Sequence, residues 1–186
     1  MKVMTSSKEE ILQKSRELIA TEGLQSFNIR SLAKKCNLSI GSIYNYFENK
    51  TEILTETIAY VWCDILNISH ISDQPSNFLQ EVETLFANLE KGNEKYPGFI
   101  SFHSMSFFHH GKQEAQNQME AAWKELKKYL NDILCQDDQI SQSAFHASFT
   151  PEQLIDLIFS SLLSSILTHD FDCTGLLYVL KKVLYA

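Results

Sequence analysis

The stretch from Phe27 to Leu54 reads FNIRSLAKKCNLSIGSIYNYFENKTEIL and decides the fold of the N-terminal part of the chain. Asn28 is a favourable N-cap for a short helix, and Asn37, a residue type that tolerates positive φ, is placed to end it. Ser39 is a second N-cap, for a helix predicted over Ile40 to Tyr46. Two short helices joined by a three-residue turn have the spacing of a helix-turn-helix.

A further helix is predicted on each side of this stretch. From Ser7 to Thr21 the apolar residues recur with the spacing of one helical face, a capping-box pattern begins at Ser7, and Gly23 is placed as a C-terminal stop. Asn49 has the properties of an N-cap, and it predicts the start of a long helix that continues to the polar stretch around Pro75. We therefore expect a three-helix unit followed by a long connecting helix.

The rest of the chain also has a helical pattern. Hydrophobic residues make up 44% of the 186 residues, and only six Gly and three Pro are present, which favours helices over many short strands. We expect an all-α protein of about nine helices, with an N-terminal three-helix helix-turn-helix domain over residues 1–50 and a C-terminal helical domain over residues 51–186. In the second domain the predicted helices cover residues 76–91, 97–109, 113–135, 151–169 and 172–185, separated at Gly92, Pro97, Gly111, residues 136–143 and Pro151.

The charge is divided unevenly along the chain. Residues 1–50 contain eight Lys and Arg against five Asp and Glu, a net charge of +3, whereas residues 51–186 contain eight against eighteen, a net charge of −10. A basic N-terminal part on an acidic remainder favours binding of a polyanion at one end, because neutralisation of phosphates drives non-specific binding to nucleic acids.

Several classes of protein are not expected. No apolar run reaches the roughly eighteen residues of a membrane helix, and the start, MKVMTSSKEE, has no apolar signal core, so we expect a cytoplasmic protein without a membrane segment. The four cysteines form no C-x-x-C pair, which disfavours a zinc site or a disulfide framework. The sequence contains no nucleophile elbow and no phosphate loop, so we do not expect an enzyme.

The helix-turn-helix stretch carries a combined pattern: I-R-x-L-A, a turn, S-x-G-x-I-Y-x-Y-F, and then N-K before an apolar pair. Together with the preceding helix and the E-G-L at Glu22 to Leu24, it resembles the DNA-binding domain of the TetR family of bacterial regulators. The resemblance implies that residues 1–50 bind duplex DNA and that residues 51–186 form a domain that dimerises and binds a ligand. It implies a homodimeric repressor on a near-palindromic operator, released by a small-molecule effector, with an activator as the alternative.

Nine residues of the pattern are candidate DNA contacts. Gly41 lets its helix approach the DNA closely, Ser42 offers a small donor and acceptor, and the tyrosine hydroxyls reach phosphates. Lys50 adds a cation beside the amides at the start of the long helix, which is itself an anion site. The candidates are Asn28, Arg30, Ile40, Gly41, Ser42, Tyr44, Asn45, Tyr46 and Lys50.

Each of these signals has a structural alternative. Tyr44 either packs its ring in the core or contacts DNA, or does both, since tyrosines commonly bury the ring and expose the hydroxyl. We assign Ile43 and Phe47 to the core. Lys34 and Lys35 are interpreted as a solvated face.

Aromatic residues are dense in the second domain. They either line an apolar ligand pocket or form the helical core, and the resemblance rather than the residue pattern suggests a pocket. The candidate ligand-binding residues are Trp62, Phe99, Phe102, His103, Phe107 and Trp123. We expect no cofactor apart from an unidentified effector. Convergence of distant histidines such as His70 and His146 on a haem or a metal ion is the alternative, although the sequence has no H-x-x-x-H pair.

The last two predicted helices combine wide apolar faces with a serine stripe, which suits a four-helix bundle formed by two subunits. A two-fold dimer then presents two DNA-binding heads to successive major-groove faces. A protein of this type that no longer binds DNA and serves as a protein-binding adaptor is the alternative, but the retained Arg30, Gly41, Tyr44, Tyr46 and Lys50 speak against it.

Overall fold

The computed structural model describes residues 7–66, 77–97, 99 and 113–185, in which all regular secondary structure is helical apart from one isolated bridge between His146 and Phe149. The prediction of an all-α fold is confirmed. No helix in these ranges has the length and apolarity that crossing a membrane requires. The helices are α1 (Lys8–Glu22), α2 (Ile29–Cys36), α3 (Ile40–Ile43), α4 (Lys50–Leu66), α5 (Phe78–Lys95), α6 (Gln113–Gln136), α7 (Pro151–Thr168) and α8 (Thr174–Leu184), with a 3-10 turn at Leu24–Ser26.

The described residues fall into two units. The first contains residues 7–66, 91–97 and 99, and the second contains residues 77–90 and 113–185. The long helix α4 lies in the first unit, whereas α5 contributes its first turns to the second unit and its last turn to the first. A functional boundary at residue 50 stays a prediction.

Side-chain caps define the ends of the N-terminal helices as predicted. The Ser7 hydroxyl accepts a hydrogen bond from the Glu10 amide at 3.1 Å, and the Glu10 carboxylate accepts one from the Ser7 amide at 3.0 Å, which completes the capping box. At the start of α2, Asn28 accepts from the Ser31 amide at 2.9 Å. Asn37 ends α2 in the left-handed conformation, with φ 55°.

The buried face of α1 forms much of the core of the first unit. Ile11 and Ile19 are fully buried, and α1 packs against both α2 and α4. Leu32 supplies the core face of α2. Thr57 Oγ1 of α4 lies 2.8 Å from Ser15 Oγ of α1, so two buried hydroxyls satisfy each other inside this interface.

The helix α5 is longer than predicted. Gly92 was expected to separate two helices, but α5 continues through it to Lys95, directly before Tyr96 and Pro97. A Cβ on Gly92 would lie 2.7 Å from both Cγ atoms of Ile65, closer than real side chains come. This glycine therefore permits close packing of α5 against α4 instead of ending the helix.

The helix α3 is shorter than predicted. It covers four residues, and the chain then continues through turns, in which the amides of Asn45 and Tyr46 bond to the carbonyls of Ser42 and Ile43 three residues back. The predicted helix over residues 97–109 and the predicted end of the long helix near Pro75 fall almost entirely outside the described residues.

In the second unit, Asp137 ties together three segments. Its carboxylate accepts a hydrogen bond from the Phe78 amide at 2.9 Å at the start of α5, and another from the Tyr185 hydroxyl after α8. Burial opposes the charge of Asp137, but these hydrogen bonds hold its pKa below the ordinary value. Between α6 and α7, Lys127 Nζ lies 2.7 Å from Asp156 Oδ1.

Candidate nucleic-acid interface

The short helix α3 has a buried face and an exposed face. Ile43 and Phe47 are buried, as predicted, and they anchor the helix to the core of the first unit. On the other face Ile40 and Tyr44 each keep 41% of their surface exposed. Gly41 and Asn45 are also exposed, and Ser42 and Tyr46 are half-buried. The six candidate contacts of α3 and its following turn are thus accessible at the surface.

No packing contact in the part of the chain that the structure describes explains the glycine at position 41. A Cβ at Gly41 would have Ser39 Oγ as its nearest neighbour, at an ordinary 3.7 Å, and the backbone there has no positive φ. Gly41 therefore differs from Gly92, where the protein itself leaves no room for a side chain. A glycine on an exposed helix face, with open space above it, suits close approach of another molecule.

The start of α3 is capped by a pair of serines. Ser39 Oγ accepts a hydrogen bond from the Ser42 amide at 3.0 Å, and the two hydroxyl oxygens lie 2.8 Å apart. Each hydroxyl has one hydrogen, so this pair retains one hydrogen that is free to point outward.

At the start of α4, side chains of the protein already use part of the anion-binding capacity that the sequence predicts. Asn49 Oδ1 accepts from the Glu52 amide at 3.0 Å, and the Glu52 carboxylate accepts from the Glu48 amide at 2.5 Å. The exposed Lys50 ammonium is therefore better placed to bind a phosphate than the amides around it.

Lys8 of α1 stabilises this region, and no sequence pattern indicated its role. Its Nζ lies 2.6 Å from Glu56 Oε1, 3.4 Å from Glu52 Oε1 and 4.9 Å from the centroid of the Phe47 ring. The hydrogen bond with Glu56 raises the pKa of Lys8 above its ordinary value. Because the carboxylate partners are 44 and 48 residues away, only the fold brings these groups together.

Asn28 and Arg30 occupy the first turn of α2 and are exposed. The Asn28 side chain is engaged at both ends, since its amide also donates to the Ser26 carbonyl at 3.1 Å. Asn28 therefore serves first as the helix cap, whereas the Arg30 guanidinium has no ion pair in the described part of the chain.

More than half of the described positive charges of the first fifty residues are paired with acidic groups within the protein. Seven of the eight Lys and Arg residues are described, and four of them form ion pairs with acidic groups of the same unit: Lys8, Lys14, Arg16 and Lys35. The other three, Arg30, Lys34 and Lys50, are exposed and have no ion pair among the described residues. Uncompensated positive charge is thus concentrated in the helix-turn-helix and at the residue that begins α4.

Residues 11–57 match the family model of bacterial regulatory proteins of the tetR family, and this match covers the helix-turn-helix and its flanking helices. This family model covers 47 of the 186 residues, so the similarity to this family is established for the N-terminal part of the chain. The chain is 28% identical over 98 residues to an HTH-type transcriptional regulator of Haemophilus influenzae, with 52% of each chain covered. Another HTH-type regulator, YuxN of Bacillus subtilis, is 28% identical over 91 residues, which cover 46% of this chain and 31% of that protein. The match therefore spans about half the length of the first relative and about a third of the second.

Solved structures show the same fold over nearly the whole chain. FadR from Bacillus subtilis, in complex with stearoyl-CoA, has a TM-score of 0.67 at 16% identity, covering 97% of this chain and 98% of that one. PfmR from Thermus thermophilus has a TM-score of 0.57 at 17% identity, covering 87% and 85%. The two curated relatives and both of these structures are named as transcriptional regulators, in agreement with the expectation that this chain is not an enzyme.

The protein has a second charged cluster in its first unit, which sequence reasoning missed. Asp64 of α4 lies 2.6 Å from Lys95 Nζ, 3.7 Å from an Arg16 nitrogen of α1 and 2.8 Å from the Tyr96 hydroxyl. Burial alone would raise the pKa of Asp64, but these partners hold it below the ordinary value. The cluster fixes the end of α5 to both α1 and α4.

The structure brings together two of the six candidate ligand-binding residues. Trp62 and Phe99, both in the first unit, are buried with their ring centroids 5.7 Å apart. Trp123, in the second unit, meets the Phe159 ring edge-on at 5.1 Å. Phe102, His103 and Phe107 lie outside the described residues. A role of this set in ligand binding stays a prediction.

The histidine alternative is also left as a prediction. His70 lies outside the described residues, and His146 is exposed in the loop after α6, where its Nδ1 accepts from the Ser148 amide at 3.3 Å. Within the ranges that the structure describes, no three His, Cys, Asp or Glu side chains are grouped as metal ligands.

Proposed function

We propose that this protein is a homodimeric transcriptional repressor of the TetR type that binds duplex DNA through the exposed face of α3, with Arg30 and Lys50 on phosphates. One observation carries the proposal: Gly41 lies on an exposed helix face where no contact with another described residue requires a glycine. Close approach of DNA to this face would explain why position 41 is a glycine. Arg30, Lys34 and Lys50, which are exposed and have no ion pair among the described residues, supply positive charge for binding a polyanion.

Fluorescence anisotropy with the DNA upstream of the protein's own coding sequence tests DNA binding. We expect salt-sensitive binding that Tyr44→Ala and Lys50→Ala weaken, while size-exclusion chromatography shows an unchanged dimer. Lys14→Ala is the matched control, because Lys14 is ion-paired with Glu17 at 3.1 Å and lies on α1. Absence of salt-sensitive binding to any duplex, with the dimer intact, would favour the adaptor alternative.

The dimer is proposed to form through α7 and α8. Leu157 and Leu167 are 58% and 53% exposed on α7, and Tyr178 and Val179 are 65% and 55% exposed on α8. Large apolar side chains exposed to this degree on adjacent segments of the chain are typical of an interface. Ser160 and Ser164 lie on the exposed part of α7 and permit close approach of a second helix.

Light scattering of Tyr178→Arg tests the dimer interface. We expect the substitution to produce monomers and to weaken DNA binding, because a single head makes half of the contacts. Tyr60→Arg is the matched control, since Tyr60 is an exposed tyrosine of α4, outside the proposed interface. A dimer that tolerates Tyr178→Arg would exclude this face.

The effector is proposed to be a small molecule with a large apolar part. The support is the set of candidate aromatic residues, of which Trp62 and Phe99 contact each other, and the stearoyl-CoA in the structure of the FadR relative. A switch requires that the ligand binds the DNA-free conformation better, with a coupling free energy of about 1–3 kcal/mol. Titration of the protein–DNA complex with stearoyl-CoA is the first test, and tryptophan fluorescence reports binding without DNA. Unchanged fluorescence and unchanged DNA affinity would exclude long-chain acyl-CoA.

A further inference from the structure

Two neighbouring lysines of α2 have different surroundings. Lys35 Nζ lies 3.5 Å from Glu17 Oε2, a carboxylate that also accepts from Lys14 at 3.1 Å. Lys34 is exposed and has no ion pair within the described part of the chain. The charge of Lys35 is therefore partly compensated by Glu17 of α1, whereas the charge of Lys34 is available to an anion that binds at the surface.

Lys34 shares one face of α2 with Arg30. Residues four apart are neighbours on a helix surface, and the opposite face of α2 is buried through Leu32 and Ala33. The two cations are separated by about 6 Å along the helix axis, at a rise of about 1.5 Å per residue. Phosphates of one DNA strand follow each other every 3.4 Å or so along the duplex, so the two side chains are spaced to reach different phosphates.

We propose that Lys34 is a phosphate contact of the DNA-binding face, additional to the nine candidates of the family pattern, and that Lys35 is not. The inference rests on the proposed DNA binding. It replaces the interpretation of both lysines as an equivalent solvated face. Both residues lie in the last turn of α2, where a cation also interacts favourably with the helix dipole. Because the two lysines share that effect, comparing them isolates the contact with DNA.

The test compares Lys34→Gln with Lys35→Gln in the full-length protein. Anisotropy of a fluorescein-labelled duplex of mixed sequence is measured between low and moderate salt, because phosphate contacts dominate binding to such DNA. For Lys34→Gln we expect the slope of log K against log salt to become shallower by about 0.9 for each head. The affinity at 0.1 M salt then falls about eightfold per head, and the loss disappears towards 1 M salt. Lys35→Gln is expected to keep the wild-type slope.

The outcomes separate this inference from the proposed function. If the wild-type protein shows no salt-sensitive binding to DNA, the proposed function fails. If the wild-type protein binds and Lys34→Gln has the same slope, only the Lys34 contact is refuted. Equal losses for the two glutamine variants would indicate a general effect of net charge and would also overturn the inference. Lys34→Arg keeps the charge and is expected to restore the slope, and thermal melting confirms that all variants fold.

Discussion

Replacing Gly41 with alanine separates the stability of the protein from its binding to DNA. The added Cβ meets Ser39 Oγ at 3.7 Å, an ordinary contact, and the backbone conformation suits any L-residue. The isolated protein therefore accommodates the methyl group without strain. If DNA lies against this face of α3, the same methyl group occupies space that the DNA backbone or a base edge needs.

The substitution is expected to raise the stability of the protein and to lower its affinity for DNA. Alanine in a helix is more stable than glycine by up to about 1 kcal/mol, in part because the unfolded chain has fewer conformations to lose. For a chain of this length that gain corresponds to a rise in Tm of about 2–4 °C. Forcing a methyl group into a packed interface costs about 1–3 kcal/mol, or roughly five- to 150-fold in affinity for each head.

Thermal melting by circular dichroism and DNA anisotropy measure the two quantities on the same sample. Gly175→Ala is a control for thermal stability only, because Gly175 is also the second residue of its helix and has nothing within 4 Å of an added Cβ, but lies on α8 of the proposed dimer interface. We expect the two alanine variants to gain comparable stability, and chromatography confirms that Gly41→Ala remains a dimer before its DNA affinity is compared with that of the wild-type protein. If Gly41→Ala binds DNA with the affinity of the wild-type protein, close approach of DNA to α3 is refuted. If its Tm is lower than that of the wild-type protein, the space around Gly41 is not open.

Three further predictions concern packing inside one or the other unit. Asp137→Ala should lower the free energy of unfolding in urea by about 1.5–3 kcal/mol, since the hydrogen bonds that its carboxylate accepts from the Phe78 amide and the Tyr185 hydroxyl are lost. The folded-state pKa of Asp137 lies below its unfolded value of about 3.9, so its contribution is present above that pH and is lost as the pH falls through the folded pKa. The free energy of unfolding should therefore change less between pH 6 and pH 3 for the variant than for the wild-type protein. An equal change for both proteins would contradict the stabilising role of the ionised Asp137. Gly92→Ala should cost about 1–3 kcal/mol in the same assay because its Cβ meets Ile65, and the loss should be smaller in an Ile65→Ala background. Thr57→Val should cost about 1–3 kcal/mol by leaving the buried Ser15 hydroxyl without its partner, and additive effects of Thr57→Val and Ser15→Ala would argue against their hydrogen bond.

The ends of the helices follow from local sequence because their chemistry acts over a few residues. The Ser7 and Asn28 caps, the left-handed Asn37 and the Asn49 cap each involve groups three or four positions apart. The pattern of the helix-turn-helix has the same local character, and its candidate contacts on α3 are at the surface as the spacing implies. α3 itself ends early, since the turn after Ile43 bonds three residues back.

Contacts between distant residues were decided by the fold alone. In the sequence Gly92 is typical of the end of a helix, and only the structure shows that it lies against Ile65. In the sequence Asp64 has no predicted partner, and only the structure shows its contacts with Lys95 and Tyr96. Lys34 and Lys35 are adjacent and chemically identical in the sequence. Packing of α2 on α1 brings Glu17 to one of them and leaves the other in solvent. The strength of an ion pair depends on distance in space rather than along the chain, so only the folded protein determines which cations remain available for DNA.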